Sequence, residues 1–302
     1  MSSLSLSLAT GRPDDVLLSI CMVTCDRERA SQYISHHGGA FANASVENLI
    51  FCPPEMVSVL ESQVASQGWN CRCVADGVKS GPGRKRNELL RMARGSFCIF
   101  LDDDSLLCNP DHAIQEILNV LKTSDKDWFI LSAIYTAGDG TEVEDPPRRF
   151  SLLGPGSGIE WNQIFFRKLL LDEGGWNERF CVGERWRSGE ALILMGRLWS
   201  KHVTPAMLPH IKVSHPAQID EADGRSIEKI RRYRYAIGAV VIEESRTLGA
   251  CGIAVWCVRC CLLAPLAGCL DLLRGKRVSA TVRLYSPIDY INGVRERLFE
   301  GN

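Results

Sequence analysis

The stretch Gly95-Ser-Phe-Cys-Ile-Phe-Leu-Asp-Asp-Asp-Ser105 sets three aspartates directly after an uninterrupted apolar run. A run such as Phe97 to Leu101 is typical of a strand buried on both faces of a parallel sheet. Ligand sites in open α/β sheets lie beyond the carboxyl ends of the strands. In extended chain, Asp102 and Asp104 share one face and Asp103 points elsewhere. Such carboxylates suit Mg²⁺ or Mn²⁺, although aspartates here could equally cap a following helix or stay solvated.

Composition predicts a globular protein. The chain has 302 residues, of which 45% are hydrophobic and 24% charged, and its net charge of -1 gives no reason to expect nucleic acid as a partner. The 13 cysteines form no pair of matched CxxC knuckles, so we interpret them as small buried hydrophobes in a reducing compartment. Residues 1–14 are Ser-rich and lack the pattern of a secretory signal, which predicts a flexible N-terminus.

Strand and helix patterns alternate through the first half of the chain, as in βαβ units. This alternation predicts an α/β fold with a mostly parallel sheet and helices on both faces. The expected strands are residues 16–24, 48–52, 71–74, 97–101 and 128–135, with strand-like runs at 159–166 and 207–213; the expected helices are residues 55–67, 84–93, 111–121 and 189–200.

A basic segment follows the breaker Gly81-Pro-Gly83. Arg84, Lys85, Arg86 and Arg91 surround the start of a predicted helix. A Gly-rich turn entering a helix favours anions, so these side chains could pair with a diphosphate. A solvated charged face is the alternative interpretation.

Two further residues are candidates for chemistry in the second half. Ser188 is expected to cap the helix that begins at Gly189, with Glu190 in its first turn, where the carboxylate either stabilises the helix dipole or acts as a general base. His215 ends a strand-like run, where it is either structural or completes a metal site.

Taken together, these motifs resemble glycosyltransferase family 2, whose members have the GT-A fold. The resemblance covers roughly residues 16 to 245 and depends on the order and spacing of the motifs rather than on any one of them. The motifs are Thr24-Cys-Asp-Arg27, Gly83-Arg-Lys-Arg-Asn87, Phe100-Leu-Asp-Asp-Asp104, Gly174-Gly-Trp-Asn-Glu178, Ser188-Gly-Glu190 and His215-Pro216.

The resemblance implies an inverting transferase that uses a nucleotide-diphosphate sugar and Mn²⁺ or Mg²⁺. It implies that Asp102, Asp104 and His215 hold the metal and that Glu190 is the catalytic base. The donor-binding residues that it implies are Thr24, Asp26, Arg27, Asp76, Arg84, Lys85, Asn87, Asp102, Asp103, Gly156 and Gly158.

The chain departs from the family pattern at two places. Ala191 stands where the family usually has a second acidic residue, so either Glu190 alone is the base, or Glu184 substitutes, or acceptor chemistry is impaired. The second strand ends in Cys52-Pro-Pro-Glu55, where the family usually has an acidic, Ser/Gly-rich stretch that recognises the nucleotide base. Asp76, just after the third strand, could take part of that role.

Residues 246–302 are expected to form a helical extension beyond a catalytic domain of residues 15–245. Leu248 to Leu273 is apolar but interrupted by Arg259, Pro265 and Asp271. A spanning helix needs about 20 apolar residues, which favours a helix or broken helix in the membrane interface, followed by the basic Arg274-Gly-Lys-Arg277. A true span, or a helix packed on the catalytic domain or on a partner subunit, remains the alternative.

The favoured hypothesis is a metal-dependent glycosyltransferase that is cytoplasmic and peripherally associated with the inner face of the cell membrane. Its acceptor would be a glycan or a lipid-linked sugar in cell-surface polysaccharide synthesis, and the sequence leaves a homo-oligomer open. The alternative, motivated by Ala191, is a catalytically silent GT-A-like protein that binds a nucleotide sugar or a partner. A nucleotidyltransferase fits less well, because its Gly-rich basic motif is expected directly after the first strand, and Thr24-Cys-Asp-Arg27 does not match such a motif.

Overall fold

The computed structural model describes residues 16–67, 70–75, 80–137, 140–147, 160–216 and 225–300. The expected flexible terminus, residues 1–14, lies outside this part of the chain. The strands are β1 (Leu18–Val23), β2 (Val46–Phe51), β3 (Cys71–Val74), β4 (Phe97–Asp102), β5 (Leu106–Leu107), β6 (Trp128–Thr136), β7 (Glu142–Asp145), β8 (Gln163–Phe166) and β9 (Ala206–Pro216). The helices are α1 (Arg27–His37), α2 (Pro54–Ala65), α3 (Pro82–Met92), α4 (Pro110–Thr123), α5 (Arg167–Asp172), α6 (Glu190–Ser200), α7 (Arg225–Glu243), α8 (Ser245–Val258), α9 (Ala264–Leu273), α10 (Arg277–Leu284) and α11 (Ser286–Phe299).

One sheet runs through the described residues in the order β3-β2-β1-β4-β8-β6-β9-β5, and β7 pairs with β6. Strands β1 to β4 pair in parallel, as the βαβ pattern predicts. In the second half the sheet is mixed, because β8 runs antiparallel to both β4 and β6. The α/β class, with a largely parallel first half and flanking helices, is confirmed.

Strand β4 is buried on both faces. Ile99 and Leu101 pack into the cluster formed with α1, α2 and α4, and Cys98 and Phe100 pack into the cluster formed with α3 and α6. A strand sandwiched in this way has no solvated face, which is why its sequence shows no polar alternation. In the parallel register, Val23 of β1 lies opposite Asp102, so both strands end at the same edge of the sheet.

Two local expectations are wrong. Ser188 does not cap α6, because Gly189 is the N-cap residue, with φ of 113°, and no side chain caps the helix. A Cβ at Gly189 would lie 2.4 Å from a methyl carbon of Val240, so close packing of α7 adds to the need for glycine. The strand expected from residue 159 begins only at Gln163, since Glu160–Asn162 forms a 3-10 turn and Ile159 lies outside the described residues.

The C-terminal helices form a layer beside the α/β domain. Helix α7 packs against α11, and its Ala236, Ala239 and Val240 also join a core with Phe180 and Trp186. Among the described residues, one helix, Gly252–Leu273, is long and apolar enough to cross a membrane, and only 17% of its most apolar window is buried. It contains a π-helical segment, Arg259–Leu263, which ends two residues before Pro265, a residue with no N–H to donate.

Candidate active site

Two aspartates and a histidine converge at the carboxyl edge of the sheet. One ligand atom from each of Asp102, Asp104 and His215 lies within 4.8 Å of the others. Antiparallel pairing of Leu106 with Ser214 brings the end of β9 beside the turn that follows β4. This pairing places a histidine from residue 215 next to carboxylates more than a hundred residues earlier, as the sequence predicted for a metal site.

The ring of His215 is oriented by its neighbours. Its Nδ1 lies 2.5 Å from the carbonyl oxygen of Pro216, which can only accept a hydrogen bond, so Nδ1 carries the proton. The ring stacks on Trp161 with centroids 4.8 Å apart and planes 9° apart. Nε2 is then the ring nitrogen that faces Asp104, whose Oδ1 lies 3.4 Å away. A metal bound beside Asp104 would therefore meet this nitrogen.

Asp103 is not part of this group; β4 ends at Asp102, so Asp103 and Asp104 lie in the turn that follows, where the alternation expected of an extended strand does not apply. The hydroxyl of Thr24 donates to Asp103 Oδ2 at 2.8 Å, which ties the ends of β1 and β4 together. Nη1 of Arg29 donates to Asp103 Oδ1 at 3.0 Å and to Asp104 Oδ2 at 3.1 Å. The hydrogen bond to Asp103 is the main reason why the pKa of Arg29 is raised. Arg29 is not among the site residues predicted from the sequence; its signal was a cation in the first turn of the helix that follows β1.

Arg86 joins the aspartate group to Glu190. Its side chain is 6% exposed; Nη2 donates to Asp102 Oδ1 at 2.6 Å, and Nη1 donates to Glu190 Oε1 at 3.4 Å. Glu190 is the first residue of α6 and is buried. Arg86 shares the buried face of α3 with Leu89 and Leu90, which follow it by three and four residues. That spacing was the signal that could have distinguished Arg86 from its basic neighbours.

The predicted donor contacts Arg84 and Lys85 lie differently. Arg84 is exposed, and Nζ of Lys85 lies 5.6 Å from the centroid of the Phe51 ring at the end of β2. Asn87 faces inward and uses its whole amide: Nδ2 donates to Trp176 O and to Glu178 Oε1, both at 3.0 Å, and Oδ1 accepts from Trp176 N at 2.9 Å. Asn87 therefore holds the Gly174–Glu178 turn in place.

Two further predicted donor contacts flank the start of α1. Asp26 caps this helix, because Oδ1 accepts from the backbone N–H groups of Glu28 and Arg29 at 2.9 and 3.1 Å. Arg27 begins the helix and is exposed. The remaining predicted donor contacts, Asp76, Gly156 and Gly158, lie outside the described residues.

The alternative base, Glu184, is engaged elsewhere. Its Oε1 accepts a hydrogen bond from the backbone N–H of Gly81 at 3.0 Å, so it fastens its loop to the start of α3. Glu190 shares a guanidinium with Asp102. The described contacts therefore connect Glu190, rather than Glu184, to the aspartate group.

Two adjacent histidines of α1 brace the strand that follows the aspartates. His36 Nε2 bonds the carbonyl of Leu107 at 2.8 Å, and His37 Nε2 accepts from the N–H of Leu107 at 3.2 Å. His37 Nδ1 donates to Tyr33 O at 3.0 Å. Burial lowers the pKa of His37 to about 3, so the ring stays neutral near neutral pH and keeps its lone pair for Leu107.

Comparison with known families identifies the domain. Residues 53–186 match the family model Glycosyl transferase family 2, a stretch that includes β4, the three aspartates and Arg86. Over these residues, which are fewer than half of the chain, the protein is similar to glycosyltransferase family 2. The family resemblance expected from the motifs is confirmed, and the chain is an enzyme of the glycosyltransferase type.

Solved structures of glycosyltransferases share the fold. Mannosyltransferase PcManGT from Pyrobaculum calidifontis, in complex with GDP-Man and Mn²⁺, superposes with a TM-score of 0.61 at 11% identity, covering 97% of this chain and 89% of that chain. S. aureus TarS, in complex with UDP, gives 0.51 at 15% identity, with 95% and 92% covered. At such identities the likeness shows the fold alone. No curated protein sequence matches the chain.

Proposed function

We propose that the protein is a metal-dependent inverting glycosyltransferase that moves a sugar from a nucleotide-diphosphate donor to a hydroxyl of a glycan or lipid-linked acceptor. The observation that carries the proposal is the bridge from Asp102 through Arg86 to Glu190. The guanidinium of Arg86 contacts Glu190, at the start of α6, on one side and Asp102, a candidate ligand of a cation, on the other. A donor diphosphate held at one end of the bridge would have its sugar near the other end.

Asp102, Asp104 and His215 fit Mn²⁺ or Mg²⁺ by the chemistry of their donor atoms. Two carboxylates and a neutral imidazole are ligands that Mn²⁺ accepts, and the hydrogen bond from Nδ1 to Pro216 directs Nε2 toward Asp104. When bound there, the cation neutralises charge on the leaving diphosphate. PcManGT, which shares the fold, is described with GDP-Man and Mn²⁺.

Glu190 is the proposed general base, and the other residues position it. Its carboxylate takes the proton of the acceptor hydroxyl as the oxygen attacks the anomeric carbon from the face opposite the diphosphate, which inverts that carbon. Arg86 orients Glu190 while it contacts Asp102. Arg29 lies beside Asp103 and Asp104, where it can meet the negative charge of the donor.

We also propose that the catalytic domain spans residues 15–245, that residues 246–302 bind the cytoplasmic face of the cell membrane, and that the acceptor belongs to a cell-surface polysaccharide. The exposed apolar helix Gly252–Leu273 and the basic run that follows it support this placement. The helix contacts α10 and α11 along one side. This contact favours a helix lying in the interface over one that spans the bilayer.

A catalytically silent nucleotide-sugar-binding protein is the second candidate. The observation in its favour is Ala191, which stands after Glu190 and packs against the hydrophobic core on the α3 and α6 side of the sheet. The two candidates differ in turnover, and not in donor binding.

The test is release of nucleotide diphosphate from a panel of nucleotide sugars with Mn²⁺, with and without candidate acceptors. Asp104→Ala is expected to lose Mn²⁺ binding, measured by electron paramagnetic resonance, together with all turnover. Glu190→Gln is expected to retain slow donor hydrolysis and to lose transfer by about 10²- to 10⁴-fold. Asp125→Ala, at an exposed aspartate after α4, is the control and should match the native chain. Donor binding without any turnover in the native chain would favour the silent candidate.

A further inference from the structure

Helix α11 turns its polar side chains toward the rest of the protein. Ser286 and Asp289 are buried, and Asp289 accepts hydrogen bonds from Nε and Nη2 of Arg231 at 3.0 and 2.9 Å. Gly293 lies on the same face, where a Cβ would collide with the carbonyl oxygen of Tyr235 on α7. This face of α11 therefore packs against α7 through small and polar residues.

The opposite face of α11 is apolar and exposed. Ile288 and Ile291 are 53% and 55% exposed, and Leu298 and Phe299 are 56% and 63% exposed. Arg295, which is also exposed, lies between these two pairs. The five residues recur at helical spacing and form one face of the helix, the α11 stripe. A helix on a surface that faces water has the reverse arrangement, with its apolar residues turned inward.

The neighbouring helix α9 shows the same inversion. Asp271 is buried and lies 3.1 Å from Nη1 of Arg283, whereas Leu266 and Leu270 are 56% and 53% exposed. Helix α9 is part of the apolar helix Gly252–Leu273, and it contacts α11. Two adjacent helices therefore bury charged groups and expose aliphatic side chains, which is the arrangement expected of a surface that faces hydrocarbon.

Ion pairs join the end of α11 to the catalytic domain. Glu300, which follows the helix, lies 2.6 Å from Nη2 of Arg179 and 3.0 Å from Nη1 of Arg185. Arg185 also pairs with Glu296, in the last turn of α11, at 2.9 Å. Both arginines belong to the segment that precedes Glu190. The α11 stripe is therefore carried by a helix that is fixed to the domain, and not by a free tail.

The exposed guanidinium in the stripe favours a bilayer over a second copy of the chain. A copy packed on the stripe would take Arg295 out of water among apolar side chains, which is costly for a charge that gains no anion. At the surface of a membrane, a long basic side chain reaches the lipid phosphates while apolar neighbours on the same helix enter the acyl region. The contact with α9 makes the stripe continuous with the exposed leucines of that helix.

We propose that the α11 stripe is a second bilayer-contacting surface, in which Ile288, Ile291, Leu298 and Phe299 enter the acyl region of an anionic membrane and Arg295 meets the lipid phosphates. This inference rests on the membrane association proposed above and deepens it, because it adds a contact outside the Gly252–Leu273 helix and outside the basic run that follows Leu273. The inverted polarity of α11 is the observation that carries it.

The test is co-sedimentation of the full chain with phosphatidylcholine vesicles that contain or lack phosphatidylglycerol. Ile288→Asp combined with Leu298→Asp is expected to weaken binding to the phosphatidylglycerol vesicles by about tenfold or more, because two apolar side chains no longer insert and two negative charges face an anionic surface. The matched control is Met92→Asp combined with Leu171→Asp, at two positions of the catalytic domain that are each 38% exposed. It should change binding by less than about twofold, and equal losses in the two pairs would overturn the proposal.

The arginine of the stripe is tested by charge removal. Arg295→Gln should weaken binding to the phosphatidylglycerol vesicles by about fivefold, the effect of one cation near an anionic surface, and should leave binding to pure phosphatidylcholine unchanged. The control Arg232→Gln removes the same charge from α7, where the side chain is exposed and pairs with Glu228, and should have less than about a twofold effect. Equal losses in the two variants would make the effect one of net charge and overturn the phosphate contact.

Two further measurements separate binding from folding and from catalysis. The stripe positions are exposed, so their variants should keep the native Tm and release nucleotide diphosphate in solution at the native rate. If the aspartate pair does not fold, Ile288→Ser combined with Leu298→Ser is used, which removes the apolar surface without adding charge. A folded serine variant that binds vesicles as the native chain does would overturn the proposal.

The remaining outcomes distinguish this inference from the proposed function. A native chain that binds neither vesicle type would overturn membrane association itself, and the stripe with it. A native chain that binds vesicles, with stripe variants that bind equally well, would overturn the stripe alone and leave the Gly252–Leu273 helix as the membrane contact. Analytical ultracentrifugation without lipid tests the second copy. The native chain and the aspartate pair should sediment alike, whereas a native dimer that the pair converts to a monomer, with vesicle binding unchanged, would make the stripe an interface between copies and overturn the lipid assignment.

Discussion

Replacing His37 by glutamine should remove a large part of the acid sensitivity of this fold. The His37 ring is fully buried, and its Nε2 accepts the N–H of Leu107 at 3.2 Å. Burial lowers its pKa from 6.5 to about 3. The unfolded chain therefore binds a proton below pH 6.5 that the folded chain excludes until about pH 3. The stability that the neutral ring contributes is complete above pH 6.5 and is lost as the pH falls.

The magnitude follows from the difference between these two pKa values. At pH 5 the unfolded histidine lies 1.5 pH units below its pKa of 6.5 while the folded ring remains neutral. Each unit is worth about 1.4 kcal/mol, so the native free energy of unfolding should fall by about 2 kcal/mol between pH 7.5 and pH 5 on account of His37. Glutamine can still accept from Leu107 but does not titrate. The variant should be less stable at pH 7.5, yet lose about 2 kcal/mol less on acidification.

The assay is urea unfolding followed by tryptophan fluorescence at both pH values. His112→Gln is the matched control, because its ring is exposed at 74% and, among the described residues, pairs with Glu116 of the same helix. The control should lose as much stability as the native chain on acidification. If the native chain and His37→Gln lost equal stability between pH 7.5 and pH 5, the reasoning from a buried neutral ring would be refuted.

Three further substitutions test the site and its support. Arg86→Lys should slow sugar transfer on the order of 10²-fold, since one ammonium cannot span Asp102 and Glu190 as the guanidinium does. The control Arg91→Lys, on the exposed side of α3, should leave the transfer rate unchanged, and an unchanged rate in Arg86→Lys would contradict the bridge. Gly175→Ala should lower the free energy of unfolding by at least ~1 kcal/mol more than Gly174→Ala, because both glycines have positive φ but only at Gly175 would a Cβ meet Asn87 Oδ1, at 2.2 Å. The measurement is the midpoint of urea unfolding of each variant, and equal losses of stability would refute the clash. Arg29→Gln should tighten Mn²⁺ binding by about fivefold in electron paramagnetic resonance titrations, because the guanidinium that pairs with Asp103 and Asp104 is removed. Unchanged or weaker binding would show that this guanidinium does not compete with Mn²⁺ for the carboxylates.

Local sequence was enough to predict strand β4 and the aspartate group that follows it. The run Phe97 to Leu101 and the aspartates after it could be interpreted from a few residues, because a strand buried on both faces must be continuously apolar. The alternation expected for Asp102, Asp103 and Asp104 does not apply, because β4 ends at Asp102 and the two later aspartates lie in the following turn. The N-cap expected at Ser188 lies one residue later, at Gly189. Packing of Val240 against the backbone, a contact from a helix some fifty residues later, favours Gly189 as the cap.

Only the tertiary structure decided which polar residues meet. Pairing of β5 with β9 sets His215 beside Asp104, and burial of one face of α3 turns Arg86 toward Glu190 while leaving Arg84 exposed. Asp26 fits the motif of a donor contact equally well on sequence grounds, yet the helix that it begins uses its carboxylate as a cap. Sequence by itself determined the α/β class, the family and the aspartate group, because these depend on periodicity and short spacing. The partners of Arg29, Arg86 and His37 depend on contacts between distant segments, which no local pattern encodes.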